Sequence, residues 1–257
     1  MIWLYGALRR SPGKALRYIL FDRERDNFTY DLANGDELSA FVADVLGASF
    51  EEVAQYIGEL QGDAELAHTL RNTLRTRPDR NASMPFGRRL GWYATLRVRH
   101  PRLVVETGVH DGLGSVALLR ALHRNEEEGH PGELISVDID RSAGWLIPHW
   151  LRSRHRLVIG DALKEVPMHV NHRPVDVFIH DSDHRYEHET AEFEMIRAHM
   201  ADYGVLISDN AHGSTAFKDF CSRHGLHYEF WREKPRDHFY PGAGIGITVK
   251  HPRTDIT

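Results

Sequence analysis

The stretch VVETGVHDGLGS, residues 104–115, decides the fold. An apolar run ends at Glu106 and breaks into three glycines, Gly108, Gly112 and Gly114. This order is typical of a strand that leads into a tight turn and then a helix, and such turns often hold a nucleotide-like cofactor. The spacing of the glycines then indicates which cofactor.

Composition limits the class of protein. The 257 residues are 41% hydrophobic, which is enough to bury a full core. The formal net charge of -5 argues against a nucleic-acid partner, because phosphate binding needs a concentrated positive surface. A single cysteine, Cys221, excludes an internal disulfide framework and a cysteine zinc cluster, as expected in a reducing cytoplasm.

The chain shows no targeting or membrane signal. The N-terminal stretch MIWLYGALRR is interrupted by Arg9 and Arg10, and it lacks the apolar core and cleavage site of a signal peptide. No apolar run approaches the length of a membrane span. We therefore expect a cytoplasmic protein that does not contact a membrane.

Residues 1–90 are predicted to form a helical N-terminal region that serves as a lid or in oligomerisation. Within it, SFEEVAQYIGEL begins with a capping box of Ser49 and Glu52. The Pro- and Gly-containing stretch 75–89 is predicted to be a connecting loop. A homo-oligomer built through the N-terminal helices is left open.

Residues 91–257 alternate short apolar runs with helical patterns. Such alternation predicts right-handed crossovers and an α/β, doubly wound, mostly parallel sheet of seven strands that binds ligands at the carboxyl ends of its strands. The predicted strands are 103–107, 133–140, 156–162, 175–181, 203–210, 227–231 and 244–251.

The glycine spacing argues against a dinucleotide. That fingerprint is G-x-G-x-x-G with an acidic residue about 20 positions on. Here Gly108, Gly112 and Gly114 stand in the order G-x-x-x-G-x-G behind Glu106, and the next acid at a strand end, Asp138, comes later than the fingerprint requires.

This acidic-x-G-x-x-x-G-x-G order resembles the first motif of class I S-adenosylmethionine-dependent methyltransferases. The resemblance implies a Rossmann-like fold and S-adenosylmethionine as cofactor. It implies that Asp138, or Asp140 in its place, binds the ribose hydroxyls and that Asp161 meets the adenine amino group. The other residues that it assigns to the cofactor are Glu106, Gly108, Gly112, Gly114, Ser115 and Asp181.

A second group of polar residues follows the fourth and fifth predicted strands. Asp181 comes first, in HDSDHRYEHE, and Asp209 and Asn210 follow, in ISDNAHG. Two carboxylates and an amide oxygen form a hard-oxygen set suited to Mg²⁺ or another divalent cation. The pattern is similar to the metal site of the catechol and caffeoyl-coenzyme A O-methyltransferases, with Asp181, Asp209 and Asn210 in the ligand positions.

One residue departs from that family. His184 stands where those enzymes carry a lysine, and a histidine can take a proton near neutral pH. The D-S-D-H-x-Y-E motif more closely resembles bacterial small-molecule methyltransferases of the cephalosporin and macrolide-sugar tailoring type. This resemblance covers roughly residues 100–215. It implies a magnesium-assisted O-methyltransferase of secondary metabolism, acting on a hydroxyl of a small molecule, with His184 and Asp181 as catalytic residues.

Alternatives remain open at this stage. A metal-independent methyltransferase would use His184 or His212 as base. A zinc site of His180, His184 and His188 lacks a fourth ligand in the sequence. A non-catalytic nucleotide-binding α/β module would not bind S-adenosylmethionine. The aromatic segment 231–244 is predicted to wall the pocket or to pack as a loop.

Overall fold

The computed structural model describes residues 12–21, 28–77 and 85–250. The predictions for residues 1–11, including Arg9 and Arg10, and for residues 78–84 of the 75–89 loop lie outside these ranges. The helices are α1 Pro12–Phe21, α2 Gly35–Leu46, α3 Phe50–Gln61, α4 Ala64–Leu74, α5 Arg89–Arg99, α6 Leu113–Glu127, α7 Ala162–Val170, α8 Tyr186–Arg197 and α9 Ala216–Arg223, with a 3-10 helix at His149–Arg154. The strands are β1 Leu103–Thr107, β2 Glu133–Asp138, β3 His155–Ile159, β4 Val175–His180, β5 Met200–Ser208, β6 Glu229–Arg232 and β7 Gly244–Val249.

The seven strands form one sheet in the order β3-β2-β1-β4-β5-β7-β6. Strands β1 to β5 are parallel, and β7 runs antiparallel to both β5 and β6. The predicted doubly wound α/β sheet is therefore confirmed. The strand order reverses between β1 and β4, and the crevice beyond the carboxyl ends of such strands is where open α/β sheets bind ligands.

Both faces of the sheet are buried. Val104 belongs to the hydrophobic core on one face, together with helices α2 to α6, whereas Val105 belongs to the core on the other face with α7, α8 and α9. Ile179 and Phe178 divide in the same way on β4. Strands covered on both sides read as continuous apolar runs, which explains the pattern of the sequence.

The N-terminal helices pack onto the first of these faces. Ser49 is the N-cap residue of helix α3, and its Oγ accepts the backbone N–H of Glu52 at 3.1 Å, as the capping motif predicts. The division of the chain at residue 90 stays a prediction. Among the residues that the structure describes, no helix is long and apolar enough to cross a bilayer.

A short segment after α1 joins the far edge of the sheet. Leu32 forms an isolated antiparallel bridge with Pro235, and Ala33 N–H donates to the carbonyl of Lys234 at 2.8 Å. The side chain of Asn34 accepts the N–H of Lys234 at 2.8 Å. These bonds hold Phe28 and Tyr30 over the carboxyl ends of the strands, beside the cavity described below.

The first prediction concerns Gly108, which has a φ of 84° and whose Cβ, if present, would lie 2.1 Å from the Asp181 carbonyl oxygen. We expect Gly108→Ala to lower the free energy of unfolding by about 3 kcal/mol or more, because backbone must move. Gly129→Ala is the matched control, with a φ of 90° and open space around it. It should cost only about 1–2 kcal/mol. Urea unfolding of both variants measures this, and equal losses would contradict the close approach.

Candidate functional site

A cavity of about 950 Å³ opens at the carboxyl ends of β1 to β5. The residues that line its two sides and its centre differ in chemistry. The side beyond β2 and β3 is lined by Asp138, Ile139, Asp140, Gly160, Asp161, Ala162 and Leu163. The centre holds Glu106, Gly108, Gly114, Asp181 and His184, and the opposite side holds Phe28, Tyr30, Arg88, Arg89, Asn210 and Tyr240.

The glycine turn is shaped mainly by packing. Gly108 packs closely against the backbone of Asp181, directly after β4. A Cβ on Gly114 would lie 2.6 Å from the Trp92 ring. Gly112, the N-cap of α6, packs against Ile147, whose side chain would be 2.8 Å from a Cβ. Ser115 is fully buried in α6, beneath the cavity. The glycines thus bring three chain segments together at the site.

Asp138, at the end of β2, holds the turn. Its Oδ2 accepts the backbone N–H groups of Val109 at 2.7 Å and His110 at 2.9 Å. Its Oδ1 accepts the N–H of Asp140 at 2.8 Å. The Asp138 carboxylate lines the cavity and accepts hydrogen bonds from the backbone of this loop. A ligand bound by Asp138 would therefore also lie close to the loop backbone.

Glu106 lies at the floor of the cavity and is 1% exposed. Its Oε2 accepts hydrogen bonds from Ser115 Oγ at 2.5 Å and Ser136 Oγ at 2.8 Å. Burial raises the pKa of Glu106 to about 7, although the two serine hydroxyls oppose that rise. Near neutral pH this carboxyl therefore both accepts and releases a proton.

Asp161 caps helix α7. Its side chain accepts the N–H of Leu163 at 3.1 Å and pairs with Lys164 Nζ at 3.0 Å, and the Lys164 contact lowers its pKa. Next to Asp138 the structure adds a residue that the sequence analysis did not select: Ile139 lines the cavity while 81% exposed. In the sequence, Ile139 could have been noticed as an apolar residue between two aspartates at a strand end. Its side chain offers an apolar surface beside these two acids.

Three of the predicted catalytic and metal residues converge at the ends of β4 and β5. Asp181, His184 and Asp209 each present one ligand atom within 4.8 Å of the others. Burial and the negative charge of Asp209 raise the pKa of Asp181. The two carboxylates are therefore close enough to need positive charge or a proton between them.

The positive charge at Asp209 comes from Arg88. Asp209 is completely buried, and its Oδ1 accepts from Arg88 Nε at 2.6 Å while its Oδ2 accepts from Arg88 Nη2. Although burial opposes it, this guanidinium lowers the pKa of Asp209 to about 2. Arg89 adds a second cation, with its Nη2 4.0 Å from Asp181 Oδ2.

The two arginines lie at the end of the loop predicted for residues 75–89, of which the described residues 75–77 and 85–88 are outside helices and strands. Helix α5 begins at Arg89, and Arg88 is its N-cap residue. A sequence signal was present, because the helical pattern LGWYATLRV is preceded by GRR, and no acidic residue stands in its first turn. Two arginines at a helix start oppose the helix dipole, which points to a role outside the helix itself.

Asn210 connects Arg88 with His184. Its Oδ1 accepts from Arg88 Nη2 at 3.3 Å, and its Nδ2 lies 3.0 Å from His184 Nε2. His184 Nε2 is also 3.6 Å from Asp181 Oδ1. Burial lowers the pKa of His184, but the nearby Asp181 raises it more, so the net shift is upward. The imidazole edge thus meets both an amide donor and a carboxylate.

The zinc alternative is not supported by the arrangement of its three histidines. His180 Nδ1 lies 2.8 Å from Glu192 Oε2, and His188 Nε2 lies 2.9 Å from Glu192 Oε1. The same carboxylate accepts hydrogen bonds from Thr107 and, at 2.7 Å, from Ser182. Two of the three histidines are therefore engaged with buried Glu192, and His184 alone faces Asp181.

An aromatic wall, defined as Phe28, Tyr30 and Tyr240, closes the cavity opposite Asp138. The rings of Phe28 and Tyr240 are 5.5 Å apart, and those of Tyr30 and Tyr240 are stacked at 6.0 Å. Tyr30 also donates to Glu233, which Arg88 Nη1 contacts at 3.3 Å. Of the segment 231–244, Tyr240 lines the cavity, which corresponds to the first of the two alternatives left open for that segment.

Part of the chain matches a known family. The family model described as "Methyltransferase domain" matches residues 105–211. No curated protein matches the chain.

Solved structures share the fold. The O-methyltransferase TomG from Streptomyces achromogenes, solved with S-adenosylmethionine, is 16% identical, with a TM-score of 0.54 over 74% of this chain and 91% of its own. A methyltransferase from Geobacter sulfurreducens is 19% identical, with a TM-score of 0.53 over 79% of this chain and 96% of its own.

The second prediction follows from buried Glu106. The folded state holds its proton more tightly than the unfolded chain, whose pKa is near 4.5. Stability from this group is therefore complete below pH 4.5 and is lost as pH rises through about 7. We expect Glu106→Gln to gain about 3 kcal/mol in unfolding free energy over the wild type across that window. Urea titrations at several pH values measure it, and parallel curves would contradict the shift.

Proposed function

Because residues 105–211 match the model of a methyltransferase domain, we propose that the chain is a class I S-adenosylmethionine-dependent methyltransferase and that it methylates a hydroxyl oxygen of a small molecule. A secondary metabolite or a sugar is the acceptor class that we propose. The observation that carries this proposal is the placement of His184 beside Asp181 and Asn210, on the rim that the glycine turn also reaches. The cavity thus has a side suited to a nucleoside and a side with a base.

The donor half is proposed for the side lined by Asp138 and Asp161. Asp138 would accept from ribose hydroxyls, Asp161 would accept from the adenine amino group, and Ile139 would pack on the ring. Glu106, Gly108 and Gly114 line the centre of the cavity, where the methionine portion would lie. Gly112 and Ser115 would act through the shape of the turn, since Ser115 is buried beneath the cavity.

The reaction needs an oxygen nucleophile and a proton acceptor. S-adenosylmethionine supplies a sulfonium methyl group that is already activated for displacement. The acceptor oxygen forms a bond to the methyl carbon, the carbon–sulfur bond breaks, and its electron pair stays on sulfur. The hydroxyl proton passes to His184 Nε2, which thereby gives up the hydrogen bond from Asn210 Nδ2, and Asp181 stabilises the resulting imidazolium. The aromatic wall would hold the acceptor opposite the donor.

Magnesium belongs to this proposal as a prediction from the sequence. Asp181, Asp209 and Asn210 are the predicted ligands, and the ion would lower the pKa of the acceptor hydroxyl. Their close grouping supports this. The contact of Arg88 with both oxygens of Asp209 and with Asn210 Oδ1 does not, because these oxygens already accept hydrogen bonds from a guanidinium.

A metal-independent methyltransferase is therefore the second candidate function, and the Arg88 contact favours it. The two candidates separate in one experiment. Transfer of a labelled methyl group from S-adenosylmethionine to a panel of diols, phenols and sugars is measured with Mg²⁺ and with EDTA. Turnover that EDTA abolishes supports the metal-assisted reaction, and turnover that resists EDTA supports the metal-independent one. Absence of transfer to every member of the panel would remove support for a small hydroxylated acceptor.

The third prediction concerns the base. We expect His184→Gln to lower kcat by about 100-fold or more, because general-base catalysis contributes that much, while the affinity for S-adenosylmethionine stays nearly unchanged. His212→Gln is the matched control, because His212 follows β5 without lining the cavity. Steady-state kinetics and calorimetric titration measure the two quantities. A large loss in His212→Gln with none in His184→Gln would reassign the base.

The fourth prediction concerns the donor. We expect Asp138→Asn to weaken S-adenosylmethionine binding by about tenfold or more, because a charge-assisted hydrogen bond to a ribose hydroxyl is lost. Asp140→Asn tests the alternative carboxylate, which bonds Ser142 N–H at 2.8 Å. Calorimetry gives both dissociation constants. An unchanged value for Asp138→Asn beside a weakened one for Asp140→Asn would move the ribose contact to Asp140.

A further inference from the structure

Arg88 occupies an unusual position for a buried cation. It is the N-cap residue of α5, makes no capping hydrogen bond there, and is only 8% exposed. The next residues, Arg89 and Leu90, are buried as well, so the start of the helix is fixed against the core. The guanidinium is therefore held at the site by the packing of α5 and does not lie on a solvent-exposed loop.

Its contacts use the guanidinium fork in full. Nε and Nη2 each meet one oxygen of Asp209, which is the bidentate arrangement that arginine makes with a carboxylate. Nη2 also donates to Asn210 Oδ1 at 3.3 Å, and Nη1 donates to Glu233 Oε1 at 3.3 Å. Every one of these acceptors is an oxygen. Asp209 and Asn210 are the pair that the sequence analysis assigned to a divalent metal.

We propose that Arg88 is the resident cation of this site, where its guanidinium takes the place beside Asp209 and Asn210 that a divalent ion would need. A guanidinium stays charged at every relevant pH and repels a second cation brought to the same carboxylate. Asp209 is then ionised and paired without metal. The predicted magnesium ligands do not fit a metal while Arg88 keeps these contacts.

The contact with Asn210 extends this role to the base. Because a guanidinium only donates, the Asn210 atom that faces Arg88 must be the oxygen. The Asn210 nitrogen then faces His184 Nε2 at 3.0 Å and donates to it. Arg88 is thus a positioning residue that orients the Asn210 amide, which in turn holds the His184 ring at the cavity. Removal of Arg88 frees both Asp209 and the Asn210 amide.

The first test needs no variant. Mn²⁺ is titrated into the purified full chain and followed by electron paramagnetic resonance, in which bound Mn²⁺ loses the signal of the free ion. The titration is repeated with saturating S-adenosylhomocysteine, so that ordered binding does not hide a site. We expect no stoichiometric Mn²⁺ binding that depends on Asp209. One equivalent of bound Mn²⁺ that is lost in Asp209→Asn would overturn the proposal.

Substitutions of Arg88 separate charge from packing. Arg88→Gln removes the cation and should tighten Mn²⁺ binding by at least about tenfold, because Asp181, His184 and Asp209 lose a repelling charge. Arg88→Lys keeps a positive charge, and we expect this variant not to bind Mn²⁺ at the site. A purely structural role predicts the same result for both variants. Equal Mn²⁺ binding by folded Arg88→Gln and wild type would overturn the proposal.

A double variant covers the case in which Arg88→Gln alone does not fold. Arg88→Gln combined with Asp209→Asn removes both charges of the buried pair. We expect this double variant to fold and to bind no Mn²⁺. If it binds Mn²⁺ as tightly as expected of Arg88→Gln, the ion lies away from Asp209 and the proposal is overturned. The proposal concerns the same site as the proposed function, but these readouts need no methyl acceptor. If the chain transfers no methyl group, the proposed function fails while the Mn²⁺ titration still decides the role of Arg88.

Discussion

The close contact between Gly108 and the backbone of Asp181 is the constraint on which the site depends. No side chain fits between them, since a Cβ on Gly108 would lie 2.1 Å from the Asp181 carbonyl oxygen. The contact is reinforced on both sides, by Gly108 N–H donating to Val137 at 2.9 Å and Asp181 N–H donating to Thr107 at 2.8 Å. The turn after β1 is thereby held directly against the backbone of Asp181 after β4. The proposed donor and base halves share a single wall for this reason.

Charge balance is the second organising feature of the site. Glu106, Asp181 and Asp209 lie within one largely buried region, and such a group is stable only with nearby cations, hydrogen-bond donors or bound protons. The structure uses a different solution for each. Glu106 has two serine donors and a pKa near 7, Asp209 has the fork of Arg88, and Asp181 has His184 and the more distant Arg89. The three carboxyl groups therefore differ in the partners that stabilise their charged forms.

The sequence predicted the sheet and the rim residues well for a physical reason. Strands buried on both faces give continuous apolar runs, and polar residues directly after them must lie on one edge of a parallel sheet. The two arginines at the start of α5 were a local signal, but the pairing of Arg88 with Asp209 was missed because a contact across 121 positions leaves no local pattern. The contact of Tyr30 with Tyr240 was missed for the same reason, because the two rings meet across the chain beside the bridge of Leu32 with Pro235. Local periodicity therefore predicts the strands and helices. The positions of Arg88 and of the aromatic wall depend on tertiary contacts, which local periodicity does not show.

We propose that S-adenosylmethionine binds where the glycine turn meets the ends of β2 and β4. Hydrogen–deuterium exchange of the full chain, followed by mass spectrometry with and without S-adenosylmethionine, tests it most directly. The account predicts slower exchange in peptides that cover residues 107–115 and 138–140, because the bound donor would shield the backbone that Asp138 organises. Protection confined to other parts of the chain, with these two segments unchanged, would contradict it.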